Sequence, residues 1–141
     1  MDKDTVYLPK NYKPSEDEEY MNKQQLEYFR RKLSFWRKSL ENASKKTVVN
    51  LGSTNLREAD LSDRASVESE LNFELRTRDR YRKLMIKIDA ALRRIKRGTY
   101  GFCVKTFEPI GIKRLDARPI ATFSINAQEE HERTEKTYSK E

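Results

Sequence analysis

Cysteine is almost missing from this chain of 141 residues, which carries Cys103 alone. One thiol excludes an intrachain disulfide, fits a reducing compartment, and falls short of a protein-only tetrahedral zinc site. Glycine and proline number four each, too few for a loop-rich all-β fold or a collagen-like chain. No apolar run approaches the roughly 18 residues of a membrane span, and the opening MDKDTVYLPK lacks the apolar core of a signal peptide. Apolar residues reach only 35% and the mean hydropathy is −0.99, whereas a compact globule uses roughly 45–50%. These absences exclude a large enclosed core and leave extended helix, disorder or both, in a soluble, cytoplasmic chain.

What the sequence has is charge and helical period. Charged residues make up 38%, with 30 Lys+Arg against 23 Asp+Glu for a net +7. Residues 1–21 mix prolines, tyrosines and acids without a period and read as a mobile or loosely docked arm. Beyond Asn22, which is placed to cap a helix, Leu26, Phe29, Leu33, Trp36, Leu40, Ala43 and Thr47 recur at alternating spacings of three and four. That is the seam of a helix packed along another helix. Gly52 is placed to end it, and 51–55 reads as a turn. A second seam follows from near Asp60: Val67, Leu71 and Leu75, then Tyr81, Met85, Ile88, Leu92 and Ile95. The register passes Glu74 and Arg78 in between, which predicts looser, wetter packing there. Gly98 is expected to stop this helix.

Two such segments joined by a short turn predict an antiparallel coiled-coil hairpin over 22–97 with its tip near 52–65, rather than a two-chain coiled coil. From 98 to 141 the period breaks. Short strands are expected in 100–104 and 110–115, then a polar helix from Ser124. Phe102, Val104, Phe107, Ile110, Ile112, Leu115, Ile120, Phe123 and Ile125 are expected to make a miniature core.

Charge is segregated along the second segment. Glu58, Asp60, Asp63, Glu68, Glu70 and Glu74 face only Arg57 and Arg64, a local charge of −4. Arg76, Arg78, Arg80, Arg82, Lys83, Lys87, Arg93, Arg94, Lys96 and Arg97 face only Asp79 and Asp89, a local charge of +8. Asp60 and Asp63 read as a helix cap and a first-turn acid, or as a contacting tip at the end of the hairpin. The basic band suits an acidic protein surface or a polyphosphate ligand. A nucleic-acid module would want interleaved aromatics, of which Tyr81 is the sole example.

Five stretches together resemble the DksA family of bacterial RNA polymerase-binding factors: Glu-Glu-Tyr-Met-Asn at 18–22, Phe-Arg-Arg at 29–31, Asp-Leu-Ser-Asp-Arg-Ala at 60–65, Glu-Leu-Arg-Thr-Arg-Asp-Arg-Tyr-Arg-Lys-Leu at 74–84, and Gly-Ile-Lys-Arg-Leu-Asp-Ala-Arg-Pro at 111–119. The resemblance implies a mainly α fold: the long hairpin, a small zinc-finger-like globular region and a C-terminal helix. It implies a cytoplasmic, monomeric, non-enzymatic regulator of the stringent response, with no sequence-specific DNA contact and no membrane. The coiled coil of such a factor enters the secondary channel of RNA polymerase and biases promoter open complexes together with ppGpp.

By the same resemblance, Asp60, Asp63 and Ala65 correspond to the tip. Arg76, Arg80 and Lys83 correspond to the polymerase rim contact, and Leu84, Lys87 and Arg118 to the ppGpp site. Leu61 stands where the family tip has proline, and Gln128 where the C-terminal helix has lysine. The four-cysteine metal pattern falls on Cys103, Thr106, Ser124 and Ala127, so a degenerate, metal-free finger is expected, with Cys103 buried and His131 solvated. The other readings are a Gre-like transcript-cleavage factor, whose acidic tip would hold Mg²⁺, a basic nucleic-acid-binding module, and a structural coiled-coil adaptor.

Overall fold

The computed structural model describes residues 6–53 and 61–139, with side chains for 6–46 and 65–138. Four helices follow in order: α1 (Lys23–Ser53), α2 (Leu61–Arg97), α3 (Ile112–Ala117) and α4 (Ile125–Ser139). The chain divides into two compact units. Residues 1–33 and 90–141 form one, and residues 34–89 the other. Both long helices contribute to both units.

Capping explains where the long helices begin and end. Asn22 caps α1 through its side chain, whose Oδ1 accepts the Gln25 N–H at 2.8 Å. The Gln25 side chain reaches back to accept the Met21 N–H at 2.8 Å, a reciprocal arrangement akin to a capping box. Helix α1 runs through Gly52 to Ser53, slightly past the stop expected at that glycine. The end of α2 is a Schellman motif. Gly98 takes φ 83°, its N–H reaches the Ile95 carbonyl at 3.2 Å, and the Thr99 N–H reaches the Arg94 carbonyl at 2.9 Å. Arg94, Lys96 and Arg97 stand in that last turn, where positive charge suits the helix dipole.

The first unit holds most of the core. Phe29 and Leu33 from α1 are fully enclosed, as are Tyr100, Cys103 and Leu115. The Phe29 and Tyr100 rings lie 5.6 Å apart. Phe29, Leu33 and Leu115 each contribute about 1.5–3 kcal/mol by leaving water. Tyr100 also donates from its hydroxyl to the Pro119 carbonyl at 2.7 Å, so its one polar atom is satisfied on burial.

The segment before α1 is folded onto this unit. Tyr20 donates from its hydroxyl to the Gly101 carbonyl and accepts the Gly111 N–H at 3.0 Å. Gly101 is required where it stands. With φ +92°, an added Cβ would lie 2.8 Å from the Met21 side chain. Tyr12 and the Ser15 N–H both bond Glu18, and the buried Gln25 amide donates to the Ser15 carbonyl at 3.2 Å. Aperiodic sequence concealed these contacts because they join individual side chains to particular groups without a repeat, and those of Tyr20 reach 81 and 91 residues along the chain.

Two expectations for the globular part are corrected. Among the described residues there is no strand, only an isolated antiparallel bridge between Phe102 and Pro109. Residues 112–117 form α3 instead, because Ile112 and Leu115, three apart, are both buried. The miniature core also differs in membership. Val104, Phe107 and Ile125 are exposed, and Tyr100, Cys103, Ala121 and Ala127 take up the interior instead.

The second unit is an antiparallel pair of helical segments. Arg37 on α1 meets Asp89 on α2 at 2.6 Å, while Ser44 lies across from Leu75, Arg78 and Arg82. Leu40 and Ile88 are its buried apolar residues among those described.

Candidate functional site

Arg76, Arg80, Lys83 and Lys87 follow one another at spacings of four, three and four, which aligns them along one stripe of α2. All four are exposed, and Leu84 beside them is half-buried. Asp79 binds Lys83 at 3.0 Å and Arg82 at 3.1 Å. Hydrogen bonds from Lys83 and then Arg82 hold the Asp79 carboxyl below its usual range. The stripe is therefore positive with one internal counter-charge. Ala65 is exposed on the first part of α2. Asp60 lies outside the described residues. The Asp63 backbone belongs to α2, and its side chain lies outside them.

The second unit also carries a groove that the sequence pattern did not single out. It encloses about 410 Å³ and is lined by Ser44, Leu75, Arg78, Asp79, Arg82 and Met85. It opens where the seam register passes Glu74 and Arg78, the stretch expected to pack loosely. Polar residues there leave the apolar seam incomplete.

Arg118 belongs to the first unit, where it follows α3 and is exposed. Close by, Asp116 accepts the Tyr28 hydroxyl at 2.8 Å and Lys32 Nζ at 2.7 Å. The Lys32 hydrogen bond holds the Asp116 carboxyl below its ordinary value. Burial, reinforced by Asp116, pushes the Tyr28 hydroxyl up to about 12. Gln128 donates to Glu132 at 3.1 Å along α4. His131 is only partly solvated, pairing with Glu135 at 3.0 Å and lying against the Phe123 ring at 5.4 Å.

Cys103, Thr106, Ser124 and Ala127 do converge. The Phe107 N–H closes a turn onto the Cys103 carbonyl at 2.9 Å, and the Cys103 N–H bonds the Glu108 carbonyl at 2.8 Å. Val104 N–H reaches the Thr122 carbonyl at 2.9 Å, which ties this turn to the chain leading into α4. Burial pushes the Cys103 thiol up, but the Thr106 hydroxyl and the backbone N–H groups of Ser124, Thr106 and Lys105 outweigh it and bring the pKa down to about 6. Ser124 is occupied as the cap of α4, its Oγ accepting the Ala127 N–H at 3.2 Å. Ala127 is buried and offers a methyl group.

Comparison with known proteins accounts for this geometry. Residues 25–95 match the family described as DnaK suppressor protein DksA, N-terminal domain. Residues 98–133 match that described as prokaryotic dksA/traR C4-type zinc finger. The second family implies a metal that the residues here do not fit. One thiol, two hydroxyls and a methyl are no tetrahedral zinc set, and no cluster of three or more His, Cys, Asp or Glu suited to a metal occurs among the described residues.

Over 135 residues the chain is 53% identical to the RNA polymerase-binding transcription factor DksA of Caulobacter vibrioides (strain NA1000 / CB15N), covering 95% of each chain. It is 40% identical over 117 residues to the protein of the same name from Escherichia coli (strain K12), covering 83% of this chain and 78% of the relative. The solved structure of transcription factor DksA2 from Pseudomonas aeruginosa matches with a TM-score of 0.76 at 40% identity, covering 83% of this chain and 90% of that one. These relatives are named as transcription factors and not as enzymes. No helix among the described residues is long and apolar enough to cross a membrane. Family matches over both halves, near-full-length identity and a shared fold agree, and the chain belongs to the DksA family.

Proposed function

We propose that the chain is a cytoplasmic, non-enzymatic transcription regulator that binds RNA polymerase as a monomer, in the secondary channel, and biases promoter open complexes together with ppGpp. The observation that carries this reading is the exposed basic stripe of Arg76, Arg80, Lys83 and Lys87, in a chain 53% identical to a named RNA polymerase-binding transcription factor. In this reading Arg76, Arg80 and Lys83 meet acidic groups at the channel rim, where long-range attraction speeds and orients docking. Leu84, Lys87 and Arg118 are the residues that the family correspondence assigns to ppGpp. Asp60, Asp63 and Ala65 form the tip, whose charge acts near the polymerase active region. A bound factor shifts the open complex only through unequal affinity for its two states, so the tip carboxylates must interact differently before and after opening.

The finger in this proposal folds without zinc. Backbone hydrogen bonds around Cys103 and the Ser124 cap replace what metal ligation supplies elsewhere. Transcription in vitro from a ribosomal promoter, with and without ppGpp and in the presence of a zinc chelator, tests the whole reading. Inhibition that strengthens with ppGpp and survives the chelator is expected. Asp63→Asn is expected to bind polymerase and lose the promoter effect. Loss of activity on chelation, restored by zinc, would overturn the metal-free part. Efficient RNA cleavage in backtracked complexes would replace the regulator with a cleavage factor.

A further inference from the structure

The groove of the second unit lies apart from the basic stripe. Arg76, Arg80, Lys83 and Lys87 follow one line along α2. Leu75, Arg78, Arg82 and Met85, at spacings of three, four and three, follow another, and this one borders Ser44 of α1. Polar groups in the groove are present and unused. Arg78 is exposed, and its guanidinium makes no ion pair or hydrogen bond among the described residues. Glu74 stands one turn earlier, at a spacing that pairs such side chains, yet no ion pair joins the two and one Glu74 carboxylate oxygen is buried without a partner. The Ser44 hydroxyl, on a half-buried residue, likewise has no partner among the described residues. Arg82 and Asp79, by contrast, are occupied with each other at 3.1 Å, and Asp79 also holds Lys83 at 3.0 Å.

These groups select a ligand chemistry. One uncommitted guanidinium suits one carboxylate, which it grips through two parallel N–H···O bonds. The Asp79 carboxylate stands in the lining and would repel a polyanion such as a pyrophosphate or a nucleic acid strand. No aromatic side chain lines the groove among the described residues, so a base or other flat ring finds nothing to stack on. Leu75 and Met85 offer aliphatic, adaptable surface instead, and Leu75 is 46% exposed. From Arg78 to Met85 the helix rises roughly 10 Å, a length that suits a medium-chain alkyl group. The groove's volume of about 410 Å³ falls within the roughly 300–1,000 Å³ of small-molecule sites.

We infer that this groove binds a medium-chain aliphatic monocarboxylate. Its carboxylate takes the Arg78 guanidinium and the Ser44 hydroxyl. Its chain begins against Leu75 and runs over the methylene stem of Arg82 to Met85. The ligand supplies the acceptor that Arg78 lacks within the chain and covers an exposed leucine. The inference concerns the free protein and does not depend on the polymerase-binding reading.

The test titrates the full-length chain with octanoate, 1-octanol and pyrophosphate, each below any micelle-forming concentration, and follows backbone amide shifts by NMR. Octanoate is expected to shift the amides of Ser44 and of residues 75–85 saturably. 1-Octanol and pyrophosphate are expected to bind at least about tenfold more weakly, since one lacks the charge-assisted bond and the other meets Asp79. Arg78→Gln is expected to weaken octanoate binding about tenfold while melting at the wild-type temperature, because its guanidinium holds nothing in the chain. Arg78→Lys keeps the charge without the fork and falls between the two. Ser44→Ala loses a few-fold. Lys87→Gln, on the other line of α2, binds octanoate as wild type does.

The inference is overturned if octanoate gives no saturable shift, if the shifts centre outside the groove, or if Arg78→Gln binds as wild type does. Pyrophosphate that binds there more tightly than octanoate makes the groove a polyanion site and overturns it too. So does dimerisation of wild type that shifts the same amides, which assigns the groove to a second copy. Should Arg78→Gln melt early, the ratio of octanoate to 1-octanol affinity on wild type decides, and a ratio near one refutes recognition of the carboxylate.

Discussion

The two units are built on different physics. In the first, Phe29, Leu33, Tyr100 and Leu115 are enclosed by side chains from three parts of the chain, and Tyr20, Gln25 and Tyr100 use their polar atoms on distant backbone groups. In the second, two helical segments share a thin seam in which Leu40 and Ile88 are buried, while Phe35, Phe73, Leu75 and Ile86 remain exposed. A helix pair buries one stripe per helix and leaves the other faces wet. The lesson is a division of labour: one unit carries the stability, and the other carries surface.

Substitutions can break that comparison. The largest effect is expected from Phe29→Ala, which should cost about 3–5 kcal/mol as a cavity in the first unit. Leu40→Ala in the second unit should cost about 2–3 kcal/mol, since the two-helix seam can relax around the gap. Urea unfolding followed by circular dichroism measures both. Equal losses would show that the thin seam packs as tightly as the globular core.

Tyr20→Phe comes next. It removes a donor to the Gly101 carbonyl and an acceptor for the Gly111 N–H, at a cost of about 1–3 kcal/mol. Amide exchange at Gly111 reports it directly, and unchanged protection there would mean that water replaces the hydroxyl at no loss.

Cys103 sharpens the contrast through pH. Its folded pKa of about 6 lies below the ordinary thiol value of 9.0. Between those values the unfolded chain holds the proton and the folded chain does not, so stability rises with pH across that window. The gain is lost as pH falls through 6. The slope is at most about 1.4 kcal/mol per pH unit for one group. Cys103→Ser should fold, bind polymerase and lack this slope. A variant with the same pH profile as wild type would show that the thiol is not ionised.

The smallest effect is expected from Asp116→Asn. Asp116 is about half exposed and Lys32 about a third, so solvent and salt screen the pair and the loss should be about 1 kcal/mol or less. The same change should lower the Tyr28 pKa from about 12, because it removes the anion that opposes phenolate formation. Ultraviolet titration of that tyrosine checks it, and an unmoved value would leave burial as the whole cause.

Much of the scaffold was readable in advance. The alternating seam, the Asn22 cap and the Gly98 stop define helices because each depends on neighbours within a few residues. The basic stripe was readable for the same reason, since helical spacing alone aligns Arg76, Arg80, Lys83 and Lys87. The finger was harder. Residues 110–115 looked strand-like until Ile112 and Leu115 proved to share one buried face. Phe107 looked like core because it is aromatic, yet a left-handed turn directs it into water. His131, assigned to solvent, shares a ring contact with Phe123.

The sequence by itself determined the course of the two long helices, the start of α1 and the end of α2, the separation of charge, and the poor donor chemistry of Thr106, Ser124 and Ala127, the positions on which the family's metal pattern falls. These follow from local period, local capping and side-chain chemistry, none of which needs a partner distant in sequence. Only the tertiary structure decided that Tyr20 bonds Gly101 and Gly111, that Ser124 caps α4 beside a buried thiol, and that Phe107 stays outside. Those outcomes depend on which backbone groups meet after residues some twenty to ninety positions apart are brought together, and no spacing rule along the chain encodes that meeting.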